Sequence, residues 1–275
     1  MPSRSWLSTT RRSAPGRSGT VLKLPDVTLV LIETREHDLA ELALRDCERR
    51  VEFGDVLVFT DRVSQFIRAD RRVVAVPDWP TKIGWSRCFW MDVPLHLRTS
   101  HALCIQWDSW VVDPSAWQEE FLQYDYVGAP WWYADGMNVG NGGFCLRSAR
   151  MLRYIRANRA KFPVVTDLDD DLFCRRYRPG LQDVGFEWAP EPIAQAFSFE
   201  CIRPDKEQRH FGFHAVYNFN YGCEGDPERA MERAVLLRKS NYATKTNPYL
   251  WQGFLKAFPD AEEWFSKPME AEGGR

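Results

Sequence analysis

A single carboxylate, Asp108, follows an apolar run near the middle of the chain, and the glycine-rich stretch 140–144 comes later. The run at 102–106 is short and apolar, which is typical of a buried strand. A carboxylate at the end of such a strand can help to hold a divalent cation, and the cation can neutralise a diphosphate leaving group. The pairing therefore indicates chemistry in which a diphosphate departs, as in the transfer of an activated sugar.

Three consecutive acids, Asp169, Asp170 and Asp171, lie in the first turn of a helix predicted over 167–177. Acids at this position commonly accept hydrogen bonds from free amides and complement the helix dipole. Three acids exceed what capping needs, and clustered carboxylates raise each other's pKa, which helps one of them act as a base near neutral pH. Asp170 and Asp171 are therefore predicted as candidate catalytic bases, with capping as the alternative.

His214 follows the aromatic segment Phe211-Gly212-Phe213 late in the chain. Imidazole is an adequate ligand for manganese, so this histidine is a candidate metal ligand. A histidine among aromatic residues is otherwise a hydrogen-bonded member of the core. The residue types alone leave both interpretations open.

The stretch 140–143 combines three glycines with Asn141, a composition that permits positive φ and close approach of the backbone to a ligand. Its amides could face a sugar or a phosphate, although a plain tight turn uses the same residues. Aromatic faces on the preceding segment 131–133 favour the first alternative, because a sugar ring can lie on them. The residues predicted to contact an acceptor are Trp131, Trp132, Asn141, Gly142 and Gly143.

Strand and helix patterns alternate through the first half of the chain. Apolar runs at 27–33, 55–59, 73–76 and 102–106 predict strands, and apolar residues at helical spacing predict a helix over 38–51. This alternation is typical of a parallel sheet with helices on its faces, where ligands gather at the carboxyl ends of the strands. The polar residues predicted at those ends are Glu33, Thr34, Arg35, Thr60, Asp61 and Asp108.

The 275-residue chain carries a formal net charge of -2, with 44% hydrophobic and 27% charged residues. This composition is typical of a globular protein and gives no field that would draw it to nucleic acid or to an anionic membrane. No apolar stretch is long enough for a transmembrane segment, and the first apolar run, 27–32, is too short for a secretory signal. The seven scattered cysteines form no Cys-x-x-Cys pair, so we expect reduced, buried thiols and a cytoplasmic location.

Three regions are predicted along the chain. Residues 1–24 are basic and rich in serine, proline and glycine, which predicts a disordered arm. Residues 25–222 form the predicted α/β domain, and residues 223–275 form a helical extension that packs on its core. Within the extension, amphipathic patterns predict helices at 227–238 and 248–258.

Several stretches together resemble a family of uncharacterised bacterial and fungal proteins that look like glycosyltransferases of the GT-A fold. The most specific is Gly-Asn-Gly-Gly-Phe-x-Leu-Arg-Ser at 140–148, and the resemblance covers residues 26–220. It implies one Rossmann-like α/β domain with a mixed, mostly parallel sheet flanked by helices. The other stretches that carry it are Gln106-Trp107-Asp108, Tyr126-Val127-Gly128-Ala129-Pro130-Trp131, the acidic helix start at 169–171 and Phe211-Gly212-Phe213-His214.

The resemblance implies a hexosyltransferase-like enzyme that moves a sugar from a nucleotide-sugar donor, with a UDP-sugar favoured, to a hydroxyl of a glycan or other acceptor. It also implies Mn2+ or Mg2+ held by Asp108 and His214. Asp170 or Asp171 would take the proton from the acceptor hydroxyl, which slightly favours inversion at the anomeric carbon. The residues that would bind the donor are Thr34, Arg35, Asp61, Gln106 and Asp108.

One position departs from the pattern that the resemblance implies. GT-A enzymes commonly carry Asp-x-Asp, and Gln106 occupies the first of these positions here. An alternative is therefore a non-catalytic carbohydrate-binding protein with a degenerate metal site and a tryptophan-rich cleft. A metal-dependent phosphohydrolase is a third, weaker hypothesis, because it needs more clustered carboxylate or histidine ligands than Asp108 and His214 provide.

Overall fold

A computed structural model of the chain describes residues 21–79, 81–166, 168–201, 208–223, 226–239 and 249–258. The predicted basic arm up to residue 20 lies outside the described residues. Residues 22–24, which the sequence assigned to the arm, instead begin the first strand, because they pair with the second strand. The strands are β1 (Leu22–Glu33), β2 (Val51–Thr60), β3 (Arg72–Ala75), β4 (His101–Ile105), β5 (Ser109–Val111), β6 (Tyr126–Val127), β7 (Phe144–Ser148), β8 (Ser198–Phe199) and β9 (Gly212–His214).

Six of the described strands form the central sheet, in the order β3-β2-β1-β4-β7-β6. β1 runs parallel to β2 and β4, and β2 runs parallel to β3, whereas β7 is antiparallel to both β4 and β6. This mixed, mostly parallel sheet confirms the predicted fold class. Its parallel part brings the carboxyl ends of β1 and β4 to the same edge.

The apolar run in β1 supplies both faces of the sheet. Leu29 and Leu31 belong to one buried cluster, Val30 and Ile32 belong to the other, and all four are fully buried. Successive side chains of a strand point to opposite faces, so a continuous apolar run is what a sheet covered on both sides requires. The chain is thus a single α/β domain around one central sheet.

Helices cover both faces of this sheet. The α-helices are α1 (His37–Glu48), α2 (Val63–Phe66), α3 (Lys82–Arg87), α4 (Val93–His96), α5 (Ala149–Ala157), α6 (Asp169–Asp171), α7 (Arg178–Gln182), α8 (Glu191–Phe197), α9 (Phe219–Gly222), α10 (Pro227–Lys239) and α11 (Tyr249–Ala257). α1 packs into the cluster that contains Leu29, and α5 packs into the one that contains Val30. α10 and α11 add Ala230, Ala234 and Phe254 to the first cluster, so the described part of the C-terminal extension packs on the core.

The acidic helix predicted over 167–177 is shorter and less regular than expected. Its α-helical part begins at Asp169, and the chain becomes π-helical over Leu172–Arg176. Single π-helical turns of this kind are frequent beside functional sites, because the wider turn redirects side chains.

A second sheet of three strands, in the order β5-β9-β8, lies beside the central one. β5 pairs antiparallel with β9, and β8 pairs parallel with β9. This pairing brings the start of β5 and the ends of β8 and β9 to one edge. Sequence patterns did not predict this sheet, because strands of two or three residues are too short to have a detectable period.

Among the described residues, no helix combines the length and the apolar character that crossing a membrane would require. All seven cysteines are free thiols. Six of them are buried and Cys201 is exposed, which agrees with the expectation that most are buried.

Candidate active site

A cavity of about 320 Å³ opens where β1 and β4 end. Its walls come from Glu33 and the residues just after it, from the segment 106–108 that follows β4, and from three later parts of the chain. Those later parts are the glycine-rich turn at 142–143, the acidic segment 168–170 and the end of β9. The cavity therefore lies at the sheet edge where ligands gather in α/β folds.

Asp108 and His214 meet in this cavity because β5 and β9 are paired. Ser109 lies opposite His214 in the register, and the amide of Ala215 donates to the carbonyl of Asp108 at 3.1 Å. Asp108 Oδ1 is 3.3 Å from His214 Nε2, which is within ion-pair range. Both atoms are buried, and neither has a well-aligned hydrogen-bond partner among the described residues.

The other ring nitrogen of His214 contacts a residue that sequence reasoning missed. His214 Nδ1 is 2.7 Å from Glu200 Oε1, so the imidazole lies between two carboxylates. Burial lowers the pKa of His214, but the charges of Asp108 and Glu200 outweigh burial and hold this pKa well above its usual value. No sequence signal marked Glu200, because it follows a strand of only two residues, β8.

Asn141 holds the glycine-rich turn together from the inside. It has a φ of 78°, and its Oδ1 accepts from the amides of Gly143 at 2.7 Å and Phe144 at 3.0 Å. Its Nδ2 lies 3.2 Å from His214 Nδ1, and the residue is only 1% exposed. The polar atoms of the Asn141 side chain are thus used inside the protein, and contact of this turn with an acceptor stays a prediction.

The glycines of this turn are needed for close approach rather than for positive φ. A Cβ atom on Gly143 would lie 2.1 Å from His214 Nε2, and one on Gly140 would lie 2.1 Å from the ring of Trp131. Of residues 140–143, Asn141 is the one with positive φ. Trp131 is 8% exposed and packed in the core, so little of its ring faces solvent, and its contact with an acceptor stays a prediction.

Asp170 is the acid of the 169–171 cluster that both lines the cavity and carries a shifted pKa. Its Oδ2 accepts from the amide of Gly142 at 3.1 Å. Burial and the neighbouring charge of Asp169 raise the pKa of Asp170 to about 6. A carboxylate with this pKa can accept a proton near neutral pH.

The other two acids have different surroundings. Asp169 also lines the cavity, but its Oδ2 accepts from Trp90 Nε1 at 2.9 Å and from the guanidinium of Arg147 at 3.3 Å. Asp171 lies outside the lining, with a side chain 56% exposed and 3.8 Å from Arg175. The N-cap residue, Leu168, forms no side-chain cap, but Asp170 Oδ1 accepts from the amide of Asp171 at 2.9 Å, so one acid of the cluster does bind an amide of the first turn.

The residues predicted to bind the donor divide into two groups. Thr34, Arg35 and Gln106 line the cavity together with Asp108. Asp61 lies outside this lining, and its Oδ1 is 2.6 Å from His37 Nε2. The carboxyl end of β2 is therefore set apart from the cavity that the ends of β1 and β4 form.

One wall of the cavity was not predicted from the sequence. Trp79, Thr81, Lys82 and Trp85 line it, and Trp85 Nε1 donates to the carbonyl of Ile32 at 2.9 Å. This bond ties the wall to the end of β1. The two tryptophans at close spacing were the available signal, but nothing in the sequence distinguished them from tryptophans of the core.

Trp132 lies on the surface, outside the cavity lining, and is 63% exposed. Its ring centroid is 5.4 Å from that of Tyr133, which in turn lies under the guanidinium of Arg175 at 3.5 Å. Arg175 also pairs with Asp135 at 2.7 Å. An open aromatic face is thus available at Trp132, whose contact with an acceptor stays a prediction.

Comparison with known proteins gives a family and a similar structure. A family model described as "Protein of unknown function (DUF5672)" matches residues 64–214, which is more than half of the chain. No curated protein matches the chain. Among solved structures, "Mannosyltransferase PcManGT from Pyrobaculum calidifontis in complex with GDP-Man and Mn2+" is similar at a TM-score of 0.44 and 11% identity, over 90% of this chain and 79% of that chain.

Proposed function

The chain belongs to the DUF5672 family of proteins of unknown function, and we propose that it is a metal-dependent, inverting glycosyltransferase. The observation that carries the proposal is the meeting of Asp108, His214 and Asp170 in one cavity. These residues are far apart in the sequence and have the chemistry of two metal ligands and a base. Asp108 Oδ1 and His214 Nε2 are buried 3.3 Å apart in this cavity, and neither atom makes an aligned hydrogen bond, which favours a ligand held by both.

Asp108 Oδ1 and His214 Nε2 together fit a divalent cation. Carboxylate and imidazole suit Mn2+, and Mg2+ is commonly bound through one or two carboxylates and substrate phosphates. Within the described ranges, no group of three or more His, Cys, Asp or Glu could hold a metal ion. Oxygens of the donor diphosphate and water would therefore complete the coordination. A cation held there would supply positive charge against the diphosphate as it departs.

Asp170 has the surroundings that a base for the acceptor needs. It would take the proton from the acceptor hydroxyl as that oxygen forms a bond to the anomeric carbon. The bond from the anomeric carbon to the diphosphate oxygen breaks on the opposite side, and the nucleoside diphosphate leaves. Because the pKa of Asp170 is about 6, the base form is populated at neutral pH, and turnover should fall as pH drops through that value.

The donor is proposed to enter from the side of β1. Thr34, Arg35 and Gln106 line the cavity there, and Lys82 adds a further cation to its lining. Arginine and lysine suit the negative charge of a diphosphate. The acceptor would approach from the side of Gly142 and Gly143, beside the acid that serves as its base.

Two rival functions make different demands on the same cavity. A carbohydrate-binding protein with a degenerate metal site has no need of a carboxylate and an imidazole whose facing atoms are buried without aligned partners. A phosphohydrolase needs a richer ligand set than these two residues. Both observations favour the transferase.

Calorimetry tests the proposal directly. The purified protein is titrated with UDP-sugars and GDP-sugars, with and without Mn2+, and a panel of nucleotide-sugars is screened for hydrolysis. Metal-dependent nucleotide affinity and release of nucleoside diphosphate are the expected results. Glycan binding without any nucleotide affinity would contradict the transferase proposal and support the carbohydrate-binding alternative.

A further inference from the structure

We infer that Glu200 is a positioning residue that turns His214 so that Nε2, and not Nδ1, faces the proposed metal site. The inference rests on the proposed function, because it assigns a partner to one of its two metal ligands. Glu200 does not need to touch the ion or the substrate for this role. It acts through the imidazole, which it contacts at Nδ1 over 2.7 Å.

The second sheet places Glu200 beside His214. In the parallel pair of β8 and β9, Phe199 lies opposite Phe213. The next residue on each strand is therefore Glu200 on one side and His214 on the other. The antiparallel partner β5 brings Asp108 to the far side of the same imidazole.

A buried amide fixes the distance between the two strand ends. Asn218 Nδ2 donates to the carbonyl of Glu200 at 3.1 Å and to the carbonyl of His214 at 2.8 Å. Asn218 is 4% exposed, so these bonds are protected from water. The backbone of both residues is thus held independently of the contact between their side chains.

The neighbours of His214 Nδ1 determine which residue accepts its proton. Asn141 Oδ1 accepts from two backbone amides, which identifies its Nδ2 as the atom facing His214. The amide nitrogen of Asn141 can only donate, and an ionised carboxylate can only accept, so the 2.7 Å contact with Glu200 requires the proton to lie on Nδ1. Glu200 is therefore the acceptor for a proton on Nδ1, and the lone pair of a neutral imidazole then lies on Nε2, towards Asp108. Carboxylates that hold a metal-binding histidine in this way tune the affinity of the site.

A purely structural ion pair is the alternative role for Glu200, and metal affinity separates the two. Binding of Mn2+, alone and with UDP or GDP, is followed by the loss of the EPR signal of free Mn2+. Glu200→Ala should weaken Mn2+ binding by about 10–100-fold, and Glu200→Gln, which keeps an acceptor oxygen, should lose less. Glu191→Ala is the matched control, because Glu191 is an exposed glutamate that also accepts side-chain hydrogen bonds, from Asn138 and Gln195.

A second measurement follows the imidazole itself without any metal. Because the two carboxylates hold the pKa of His214 well above its usual value, the 15N spectrum is followed to a pH at which the ring becomes neutral. The ring nitrogen shifts of His214 should then report a proton on Nδ1 in the natural protein and a mixture of tautomers in Glu200→Ala. Melting temperatures identify variants that fail to fold, and Glu200→Gln then provides the folded comparison.

The outcomes distinguish this inference from the proposed function. Equal Mn2+ affinity of the natural protein and both Glu200 variants overturns the positioning role and leaves the metal site intact. Absence of Mn2+ binding by the natural protein, alone and with either nucleotide, removes the metal site and the positioning role with it. The inference is supported if Glu200→Ala binds Mn2+ more weakly, Glu200→Gln recovers part of the affinity, and Glu191→Ala binds Mn2+ as the natural protein does.

Discussion

Two groups of buried charge in this molecule differ in how their polar atoms are satisfied. The guanidinium of Arg147 is fully buried, contacts Asp169 Oδ2 at 3.3 Å and Cys145 Sγ at 3.2 Å, and lies over the rings of Phe89 and Trp90 at 4.1 and 4.5 Å. Asp108 and His214 are also largely buried, but one atom of each faces a cavity without an aligned partner.

The difference separates a structural role from a proposed binding role. A buried charge that the protein satisfies by itself holds neighbouring segments together, here β7 and the acidic segment. Buried polar atoms left unsatisfied carry a free-energy cost that a bound ion or ligand can offset. The acidic segment contributes to both groups. Asp169 accepts hydrogen bonds from the buried Arg147, whereas Asp170 lines the cavity.

The largest change in stability is expected at Arg147, whose buried charge is paired within the protein. Arg147→Met leaves Asp169 buried without its cation, which should lower the free energy of unfolding by about 3–5 kcal/mol. Urea denaturation measures the change, and Arg159→Met, an exposed arginine after α5, should stay within about 0.5 kcal/mol. A small loss in Arg147→Met would mean that this group is not the structural one.

Asp108→Asn should have the opposite profile, with lost activity and preserved stability. Removing the carboxylate charge should reduce metal-stimulated turnover by about 10^2–10^3-fold, because charge stabilisation by a cation is worth several kcal/mol. The melting temperature should change little, since His214 keeps its contact with the carboxylate of Glu200 in this variant. Asp183→Asn, on an exposed residue, is the control. Unaltered turnover in Asp108→Asn would remove this residue from the mechanism.

Asp170→Asn should stabilise the fold in a defined pH range. The folded-state pKa of about 6 lies above the ordinary value of 3.8, so folding of the natural protein loses stability as pH rises between these values. Above pH 6 the variant should therefore be more stable by about 1–3 kcal/mol, and below pH 4 the difference should vanish. Chemical denaturation at pH 4 and pH 7.5 measures both, and a difference that does not depend on pH contradicts the raised pKa.

The smallest effect is expected for Gly143→Ala, which tests the contact between the glycine-rich turn and the imidazole of His214. Gly143→Ala adds a Cβ that would lie 2.1 Å from His214 Nε2, so the ring must move and Mn2+ binding should weaken by about 10-fold. Gly180→Ala is the control, because a Cβ there meets nothing within 4 Å. Equal Mn2+ affinity in Gly143→Ala and the natural protein would show that His214 does not need its observed position.

The parts that the sequence predicted well are those with a strong local signal. The apolar runs of β1, β2 and β4 are buried on both faces, and continuous runs of this length are what strands of a covered sheet require. Asp108, Asp170 and His214 were selected by residue type and context, and they line one cavity. Their roles stay predictions, but their convergence did not follow from any local pattern.

The parts that it missed depend on side-chain direction and on long-range pairing. Asn141 and Trp131 belong to an aromatic and glycine-rich segment that resembles a sugar site, yet both turn into the protein. Glu200 follows a two-residue strand and gave no signal at all. Whether a polar side chain faces a ligand or the interior depends on neighbours that are distant in sequence, such as His214 for Asn141.

The sequence by itself determined the class of the fold and the sheet edge at which the site lies, because burial of alternating apolar segments dictates a covered sheet with its polar strand ends together. Tertiary structure decided which polar residues share the cavity. Three short strands, β5, β9 and β8, bring Asp108, His214 and Glu200 into one row. Pairing between such short segments is stabilised by contacts across the whole chain, and so no local pattern encodes it.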